Sequence, residues 1–355
     1  MLGVPRNWSE VTAAWMTTAL AARMPATVID HVDVVTVDHG TNWRARVAVS
    51  YSSGEGPPTL FVKVSGRVLH RLALSVLGAL ATEARLAAAG AALYAEHPYL
   101  YAGAFDRWHL ATAVVMEDVE GAGGRANDAL TPLSVDEVQS GLEGLARLHG
   151  AYWDSPLPPS LDFLRPWGLG RAWSLVSAAS LAHGLRRLEA LAPDLKPPPG
   201  VNARRLAEQF RRSAILAAGG EQTVLHGDPH PGNTYATAHG GTGFLDWQLA
   251  RVGNWSHDLG YFLVGSLDIS DRRATERQLI RAYLDGLRVA GAEAPRWDAA
   301  WARYRAAPAF GLATWVHTLS FGTFQPVPVC RAMIERFAAA YDDLETGRSA
   351  VASVR

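Results

Sequence analysis

Residues 226–233 read His-Gly-Asp-Pro-His-Pro-Gly-Asn, and the triplet Asp246-Trp247-Gln248 follows a few residues later. Apolar runs at 223–225 and 243–245 flank this segment, which is itself broken by glycine and proline. The pattern predicts a strand, a loop, a hairpin and a second strand, with Asp246 at the exit of that second strand. Two carboxylates, Asp228 and Asp246, and the amide of Asn233 should therefore lie close together.

These three side chains are of the types that phosphoryl transfer requires. One carboxylate takes the proton of an incoming hydroxyl group, while an amide and a second carboxylate hold Mg²⁺ against the phosphates. Gly-Asp-Pro is also an ordinary turn sequence, so Asp228 alone could be a turn former. Taken together with Asn233 and Asp246, it indicates a kinase-like phosphotransferase.

Two metal-dependent alternatives use similar residues. His226 and His230 have the i, i+4 spacing of a zinc-binding helix, but the glycine and prolines between and beside them oppose a regular helix, and no third ligand follows at a recognisable spacing. A binuclear metallophosphoesterase also uses Gly-Asp and Gly-Asn segments. It further requires Asp-x-His upstream and His-x-His downstream, and neither motif occurs there.

Composition narrows the class of protein. The chain has 355 residues, 48% of them hydrophobic, with a formal net charge of −1 and one cysteine, Cys330. This charge offers no basic field for nucleic acid or an anionic membrane, and one cysteine excludes an internal disulfide. We find neither a signal peptide nor the long apolar run of a membrane span. We therefore expect a soluble cytoplasmic monomer or homodimer with no nucleic-acid or membrane partner.

The scarcity of lysine residues draws attention to Lys63. Of the 33 basic residues only Lys63 and Lys196 are lysines, and Lys63 interrupts the apolar segment Leu60-Phe61-Val62-Lys63-Val64. A cation in such a strand is costly unless it is paired. A lysine at the edge of a sheet could instead extend to water. We favour a specific requirement for a compact charge at Lys63.

The order of elements predicts an α+β fold with two lobes. The N-terminal lobe should contain a helix at 10–24, antiparallel strands at 32–37, 44–51 and 59–64, a helix at 72–97 with Glu83 in its middle, and strands at 101–105 and 110–116. A capping box at 134–137 and helices near 273–290, 299–310 and 329–346 indicate an α-rich lobe. We divide the chain into residues 1–118 and 119–355, with the cleft near 117–124.

At these residues the chain resembles the aminoglycoside phosphotransferase and choline kinase-like family, small-molecule relatives of protein kinases, and is most similar to its ecdysteroid-kinase-like branch. The matching segments are 61–64, Glu83, 114–118, 145–149, 226–233 and 245–248. They occur in the family's order over roughly residues 10–345. The resemblance implies a bilobal protein-kinase-like fold.

By that resemblance, Lys63 contacts the phosphates of ATP or GTP, and Glu83 holds it by an ion pair. Backbone groups of Met116, Glu117 and Asp118 should bind adenine. The turn over the nucleotide begins at Gly40. It reads Gly40-Thr41-Asn42 instead of a glycine-rich run, which weakens the expectation that it cradles phosphates.

The same resemblance assigns roles in the loop. Asp228 matches the catalytic aspartate, and Asn233 and Asp246 match the ligands of Mg²⁺. His226 and His230 match positions that shape the loop, His230 being included with the catalytic group. Asp258 looks like the buried acid that braces this loop. Asp246 is followed by Trp247-Gln248 instead of Phe-Gly, so switching as in protein kinases is not expected.

The resulting hypothesis is an ATP-dependent transfer of the γ-phosphoryl group to a hydroxyl of a small organic molecule. An antibiotic, an amino-alcohol, a sugar or a steroid-like alcohol are all compatible acceptors. The main alternative is a kinase-like protein that binds nucleotide or ligand without turnover. Metal-dependent phosphoester hydrolysis is a more distant alternative.

Overall fold

The computed structural model describes residues 2–40, 42–168 and 171–348, without the side chains of residues 39 and 171–176. Its N-terminal region is built on an antiparallel sheet and its C-terminal region is mainly helical. This arrangement confirms the α+β, kinase-like fold class. Thr41 lies outside the described residues, and the division of the chain at residue 118 stays a prediction.

The N-terminal sheet has five strands in the order β1-β2-β3-β5-β4, each antiparallel to its neighbours. The strands are β1 (Val28–His39), β2 (Trp43–Ser53), β3 (Thr59–Val64), β4 (Leu100–Asp106) and β5 (Ala111–Glu117). Alternate residues Ala45, Val47 and Val49 are buried on one face of β2, as the period-two pattern predicts. Lys63 pairs with Arg44 across the β2–β3 ladder, so both are on the other face.

The first helical segment is shorter than expected. A 3₁₀ turn at Trp8–Glu10 precedes helix α1 (Ala13–Leu20), so the predicted helix at 10–24 is wrong in its bounds. The oxygen of Thr12 caps α1 by accepting the backbone N–H of Trp15 at 3.2 Å. The apolar face of α1 closes the buried side of the sheet.

The single helix predicted at 72–97 is also wrong. Two helices occur instead, α2 (Val68–Val76) and α3 (Thr82–Ala89). Gly78 and Gly90 have φ of +69° and +62°, a left-handed conformation that ends each helix. Glu83 therefore lies in the first turn of α3 and not in the middle of a long helix.

The C-terminal region contains seven helices within the described residues. They are α4 (Val135–Ala151), α5 (Arg171–Leu191), α6 (Ala203–Ala218), α7 (Ser256–Ser266), α8 (Ile269–Val289), α9 (Trp297–Phe321) and α10 (Val327–Asp343). The capping box of Ser134 and Glu137 is confirmed at the start of α4. Helix α9 continues through Pro308 and ends before Gly322, so it is longer than predicted. None of the helices in the described ranges combines the length and apolarity that crossing a membrane requires.

Two small sheets hold the segment that contains Asp228, Asn233 and Asp246. Their strands are β6 (Arg125–Ala126), β7 (Gln222–Leu225), β8 (Thr234–Ala236), β9 (Thr242–Phe244) and β10 (Arg251–Asn254). The hairpin of β8 and β9 is confirmed. Strand β7 pairs with β10, which the sequence did not predict. The loop 226–233 is thus fixed at one end to each sheet.

Candidate active site

Lys63, Glu83 and Asp246 meet between the sheet and the helical region. The ammonium nitrogen of Lys63 lies 2.7 Å from Oε2 of Glu83 and 2.6 Å from Oδ1 of Asp246. The side chains of Lys63 and Glu83 are only 7% and 6% exposed, whereas Asp246 is 34% exposed. Burial opposes charge on Lys63, but the two carboxylates outweigh it and raise the pKa of the ammonium group. Burial raises the pKa of Glu83.

Backbone geometry directs Asp246 toward Lys63. Asp246 has φ 60° and ψ 65°, a left-handed conformation that aspartate adopts more readily than most residues. The backbone N–H of Trp247 then donates to Oε1 of Glu83 at 3.2 Å. The buried indole of Trp247 donates to the carbonyl of Phe244 at 3.2 Å. The turn after β9 is therefore fixed from both sides.

Asp258, at the start of α7, braces the loop from behind. Its carboxylate accepts the backbone N–H groups of His226 at 2.6 Å and Gly227 at 3.0 Å. Nε2 of His149 lies 3.3 Å from the same carboxylate, and His257 donates from Nε2 to the carbonyl of Gly227 at 3.1 Å. Asp258 is fully buried, so it contacts the loop backbone but not solvent. This is the position expected of a bracing acid.

Asp228 lies at the centre of the loop with its side chain 28% exposed. The amide nitrogen of Asn233 donates to the backbone carbonyl of Asp228 at 3.0 Å and to Oδ2 of Asp228 at 3.3 Å. Burial, followed by the charges of Asp246 and Asp258, raises the pKa of Asp228 to about 8, while the hydroxyl of Tyr261 opposes this rise by hydrogen bonding. The structure therefore brings Asp228, Asn233 and Asp246 together.

His230 is close to Asp228, with Nε2 3.8 Å from Oδ2. Burial, then the neighbouring His226, lowers the pKa of His230 to about 4, so it is neutral at physiological pH. Nδ1 of His230 accepts the N–H of Gly232 at 3.1 Å, and Nε2 of His226 lies 2.9 Å from the carbonyl of Leu245. These bonds fix the conformation of the loop. The two histidines therefore do not form a common zinc-binding site.

The oxygen atoms of Asn233 and Asp246 are suited to a hard cation. The amide nitrogen of Asn233 is used for Asp228, which leaves its oxygen available, and only Oδ1 of Asp246 is bonded to Lys63. In the described part of the chain, no group of three or more His, Cys, Asp or Glu side chains could hold a metal. Two protein oxygens completed by substrate phosphates are typical of Mg²⁺ rather than of zinc.

The other expected nucleotide-binding residues lie apart from the acids. Met116 and Glu117 end β5, where Met116 pairs with Phe61, and Glu117 donates its N–H to the carbonyl of Tyr99 at 2.8 Å. Gly40 lies in the turn between β1 and β2. Among the described residues no hydrogen bond or ion pair joins these three to Lys63, Asp228 or Asp246.

Asp118 follows β5 and is 3% exposed. Its Oδ2 lies 2.7 Å from Nε of Arg46, and Arg46 also contacts Glu120. The carbonyl of Asp118 accepts the N–H of Ala122 at 2.9 Å. The connector is thus anchored to β2 by Arg46, a residue that sequence reasoning missed. Its period-two position, on the same face as Lys63, was the available signal.

A second missed contact closes the space above Lys63. Nδ2 of Asn42 donates to Oε1 of Gln248 at 2.6 Å, and the two side chains are buried. The pair helps to line a small cavity together with Lys63, Leu80, Glu83, Ala84, Thr112 and Val114. Asn42 belongs to the motif Gly40-Thr41-Asn42, and Gln248 belongs to Asp246-Trp247-Gln248. Both motifs depart from the expected family pattern, and this departure was the sequence signal for the contact.

Comparison with known proteins agrees with this geometry. The model of the phosphotransferase enzyme family (APH) matches residues 39–306. A Ralstonia eutropha protein assigned as an aminoglycoside phosphotransferase is 15% identical, with a TM-score of 0.51 and coverage of 96% of this chain and 98% of that chain. A choline/ethanolamine kinase family protein of Mesorhizobium loti is 17% identical, with a TM-score of 0.48 and coverages of 95% and 97%.

Spectinomycin phosphotransferase, solved with ADP and spectinomycin, is 12% identical, with a TM-score of 0.49 and coverages of 92% and 98%. Comparison with curated protein sequences gives no match. At such identities the solved structures establish the fold alone, and the similarity to the ecdysteroid-kinase-like branch stays a prediction. Because the family model spans most of its residues, the chain belongs to the phosphotransferase enzyme family and is a small-molecule phosphotransferase.

Proposed function

We propose that this protein transfers the γ-phosphoryl group of ATP or GTP to a hydroxyl group of a small organic molecule. The observation that carries the proposal is the meeting of Lys63, Glu83 and Asp246 beside a loop that presents Asp228 and Asn233. Positioning and electrostatic stabilisation supply most of the acceleration in phosphoryl transfer, so a fixed set of this kind is what the reaction needs.

Lys63 is assigned to the phosphates of the nucleotide. Its ammonium group is charged, since Glu83 and Asp246 raise its pKa, and it borders the cavity closed by Asn42 and Gln248. Glu83 is the more buried partner and holds Lys63 in place. Asp246 is the more exposed partner, so it can turn toward a ligand while Glu83 keeps the ion pair.

Asn233 and Asp246 would hold Mg²⁺, which when bound would offset the charge that develops between the phosphates. Their available oxygens lie in the same loop region as Asp228, whose pKa is raised first by burial and then by the crowding of the negative charges of Asp246 and Asp258. A cation held there would relieve this crowding. Asn233 also fixes the orientation of Asp228 through its amide nitrogen.

Asp228 is assigned as the group that accepts or directs the proton of the acceptor hydroxyl. Its carboxylate reaches solvent while the backbone on its N-terminal side is braced by Asp258, so it is accessible and rigid. His230 is neutral and lies next to this carboxylate, with Nε2 3.8 Å from Oδ2. A group with a pKa near neutrality is well matched to proton transfer at physiological pH.

The adenine ring is assigned to the connector after β5, at Met116, Glu117 and Asp118. The ion pair of Arg46 with Asp118 supports this assignment because it fixes the connector relative to the sheet. Gly40 belongs to the turn that covers the nucleotide. We further propose that residues 1–118 form the nucleotide-binding lobe and residues 119–355 carry the loop, the metal ligands and the acceptor site.

The test is release of ADP from Mg-ATP by the wild-type protein across a panel of hydroxylated acceptors. We expect release that depends on an acceptor and that is lost in Asp228→Ala. Wild-type release by Asp228→Ala would overturn the mechanism. Tight binding of Mg-ATP without release for any acceptor would favour the alternative, a kinase-like protein that binds nucleotide without turnover.

A further inference from the structure

Arg251 lies beside the loop on strand β10 and has no part in the chemistry described above. It is paired with Leu225 in the β7–β10 ladder, and Leu225 is three residues before Asp228. Nε of Arg251 donates to the carbonyl of Leu249 at 3.0 Å. The ladder and this bond together fix the direction of the guanidinium group.

The carbonyl of Leu249, to which the guanidinium group of Arg251 is bonded, lies against the backbone of the loop 226–233. Gly227 has φ +87°, and a Cβ atom at Gly227 would be 2.2 Å from the oxygen of Leu249. The backbones of Leu249 and Gly227 are therefore in direct contact. Arg251 is bonded to Leu249, and Asp228 directly follows Gly227. This contact also explains why the position before Asp228 requires glycine.

An aromatic ring supports the guanidinium group. The Cζ atom of Arg251 lies 4.8 Å from the ring centre of Trp167, whose ring is 4.0 Å from that of His257. His257 in turn bonds to the carbonyl of Gly227. Arg251, Trp167 and His257 therefore form a continuous wall along the loop, which we call the basic wall.

The basic wall carries one positive charge that no acidic side chain of the described residues pairs directly. Among the described residues Arg251 forms no ion pair with an acidic side chain. Burial lowers its pKa, and the carboxylates of Asp228 and Asp258 oppose this effect. Burial also lowers the pKa of His257 to about 4, so His257 contributes no second charge. An unpaired cation in such a place is costly unless a ligand satisfies it.

A second donor of the wall is also unsatisfied. Trp167 is 8% exposed, and its indole nitrogen has no hydrogen-bond partner within the described residues. Buried donors of this kind are normally paired. Arg251 and Trp167 thus offer N–H donors and no acceptor, which is the chemistry that recognises an anion.

The wall adjoins the backbone next to Asp228, which is assigned to the acceptor hydroxyl, and is therefore assigned to the acceptor. Arg251 is bonded to the carbonyl of Leu249, and that carbonyl lies against Gly227, the residue directly before Asp228. We propose that Arg251 and Trp167 form a subsite for an anionic group, a carboxylate or a phosphate, on the hydroxyl acceptor. This inference rests on the proposed function and deepens it, because it favours acidic acceptors over polycationic ones.

Binding of four matched alcohols tests the subsite. The probes are 4-(hydroxymethyl)benzoate, its amide, its aminomethyl analogue and its phosphate analogue, each titrated calorimetrically into wild-type protein. We expect a carboxylate or phosphate member to bind most tightly, and Arg251→Gln to remove about tenfold or more of that preference, equivalent to about 1.4 kcal/mol. The phosphate and carboxylate arms identify which anion the subsite prefers.

Arg277→Gln is the matched control, because Arg277 also stacks on a tryptophan, Trp301, at 4.3 Å but lies on α8. This control should bind all four probes as the wild type does. Trp167→Phe keeps a ring and removes the indole N–H, so it should reduce the preference for anions without abolishing it. Thermal unfolding of each variant checks that the fold is retained.

Three outcomes would overturn the proposal. The first is tightest binding of the ammonium member, and the second is no measurable binding of either anion. The third is an Arg251→Gln variant that binds the four probes in the wild-type order and merely slows turnover of every acceptor. That result would limit Arg251 to an effect on Asp228. Anion preference without phosphoryl transfer would instead refute the proposed function and leave the subsite standing.

Discussion

Lys63 lies between two carboxylates in an almost fully buried position, and its charge balances the site. Glu83 and Asp246 approach its ammonium group to 2.7 and 2.6 Å. A buried ion pair adds little net stability when intact, but loss of one partner leaves an uncompensated charge. The sequence contains few lysines, and the place of Lys63 explains why a compact ammonium group is used there.

Replacement of Lys63 by methionine should therefore destabilise the fold. We expect the free energy of unfolding to fall by about 3–5 kcal/mol, since Glu83 would remain buried without a cation. Urea denaturation followed by circular dichroism measures this change. The double variant Lys63→Met with Glu83→Leu should recover part of the loss, and no difference between single and double variants would contradict this electrostatic explanation.

Asp228 and Asp246 should fail in different ways. Asp228→Ala should lower kcat by at least about a hundredfold, as expected for loss of a general base, with the dissociation constant of Mg-ATP little changed. Asp246→Ala should instead weaken binding of Mg-ATP. Steady-state kinetics and calorimetric titration separate the two effects, and identical phenotypes would show that the assigned roles are wrong.

At the scale of elements, the turn between β1 and β2 is tied to the turn after β9. Asn42 and Gln248 are 206 positions apart in the chain yet share a buried 2.6 Å hydrogen bond. Neither turn has the glycine-rich or Phe-Gly sequence of protein kinases. We infer that this bond keeps the first turn over the cavity beside Lys63 in the absence of a glycine-rich loop.

Asn42→Ala and Gln248→Ala should each weaken binding of Mg-ATP, and the double variant should lose less than the two losses added together. The expected coupling is about 1 kcal/mol, the usual contribution of a hydrogen bond. Isothermal titration of the four proteins completes the cycle. Gln209→Ala is the control, because it removes a similar bond to Tyr341 at 2.7 Å within the helical region. Strict additivity would argue against the inferred tie.

Elements whose signals are local could be predicted from the sequence. Alternation located the strands of the first sheet, and the capping box located the start of α4. The long helix predicted at 72–97 failed because an Ala- and Leu-rich composition favours helix throughout, whereas Gly78 and Gly90 end the helices by their left-handed conformation. The pairing of β7 with β10 is non-local and has no signal in either strand.

The same distinction between local and tertiary signals applies to the candidate site. Asp228, Asn233 and Asp246 could be identified because phosphoryl transfer demands these side chains at short spacing. Arg251 and its partners could not, since their importance arises from neighbours that only the tertiary fold provides. Register, not residue type, decides that Arg251 faces the loop.

For the whole molecule, buried histidines set a dependence of stability on pH. Burial lowers the pKa of His317 on α9 to about 4, compared with 6.5 in the unfolded chain. The unfolded state therefore binds more protons between these values, so this stabilising contribution is complete above pH 6.5 and is lost as pH falls toward 4. The slope is at most about 1.4 kcal/mol per pH unit for one such histidine.

The free energy of unfolding should thus decrease between pH 7 and pH 5, and His317→Gln should make this decrease shallower. Chemical denaturation at several pH values measures both slopes. His317 bonds through Nδ1 to the hydroxyl of Ser180 at 3.0 Å, and glutamine can keep such a bond without titrating. Equal slopes in the two proteins would mean that other groups control the acid sensitivity.

The site as a whole draws its charges from both regions of the molecule. Lys63 and Glu83 come from the sheet and its helix, while Asp228, Asn233 and Asp246 come from the segment that links the two small sheets. Phosphoryl transfer between a nucleotide and an acceptor requires such convergence, since donor and acceptor must be held by different surfaces.

The most direct test follows the phosphoryl group itself. ATP labelled in its γ-phosphoryl group is incubated with Mg²⁺, the wild-type protein and an acceptor panel, and the products are separated by mass. We expect the label in a phosphate ester of one acceptor, and no ester with Asp228→Ala. Label found only in inorganic phosphate, at equal rates in both proteins, would contradict phosphoryl transfer by this site.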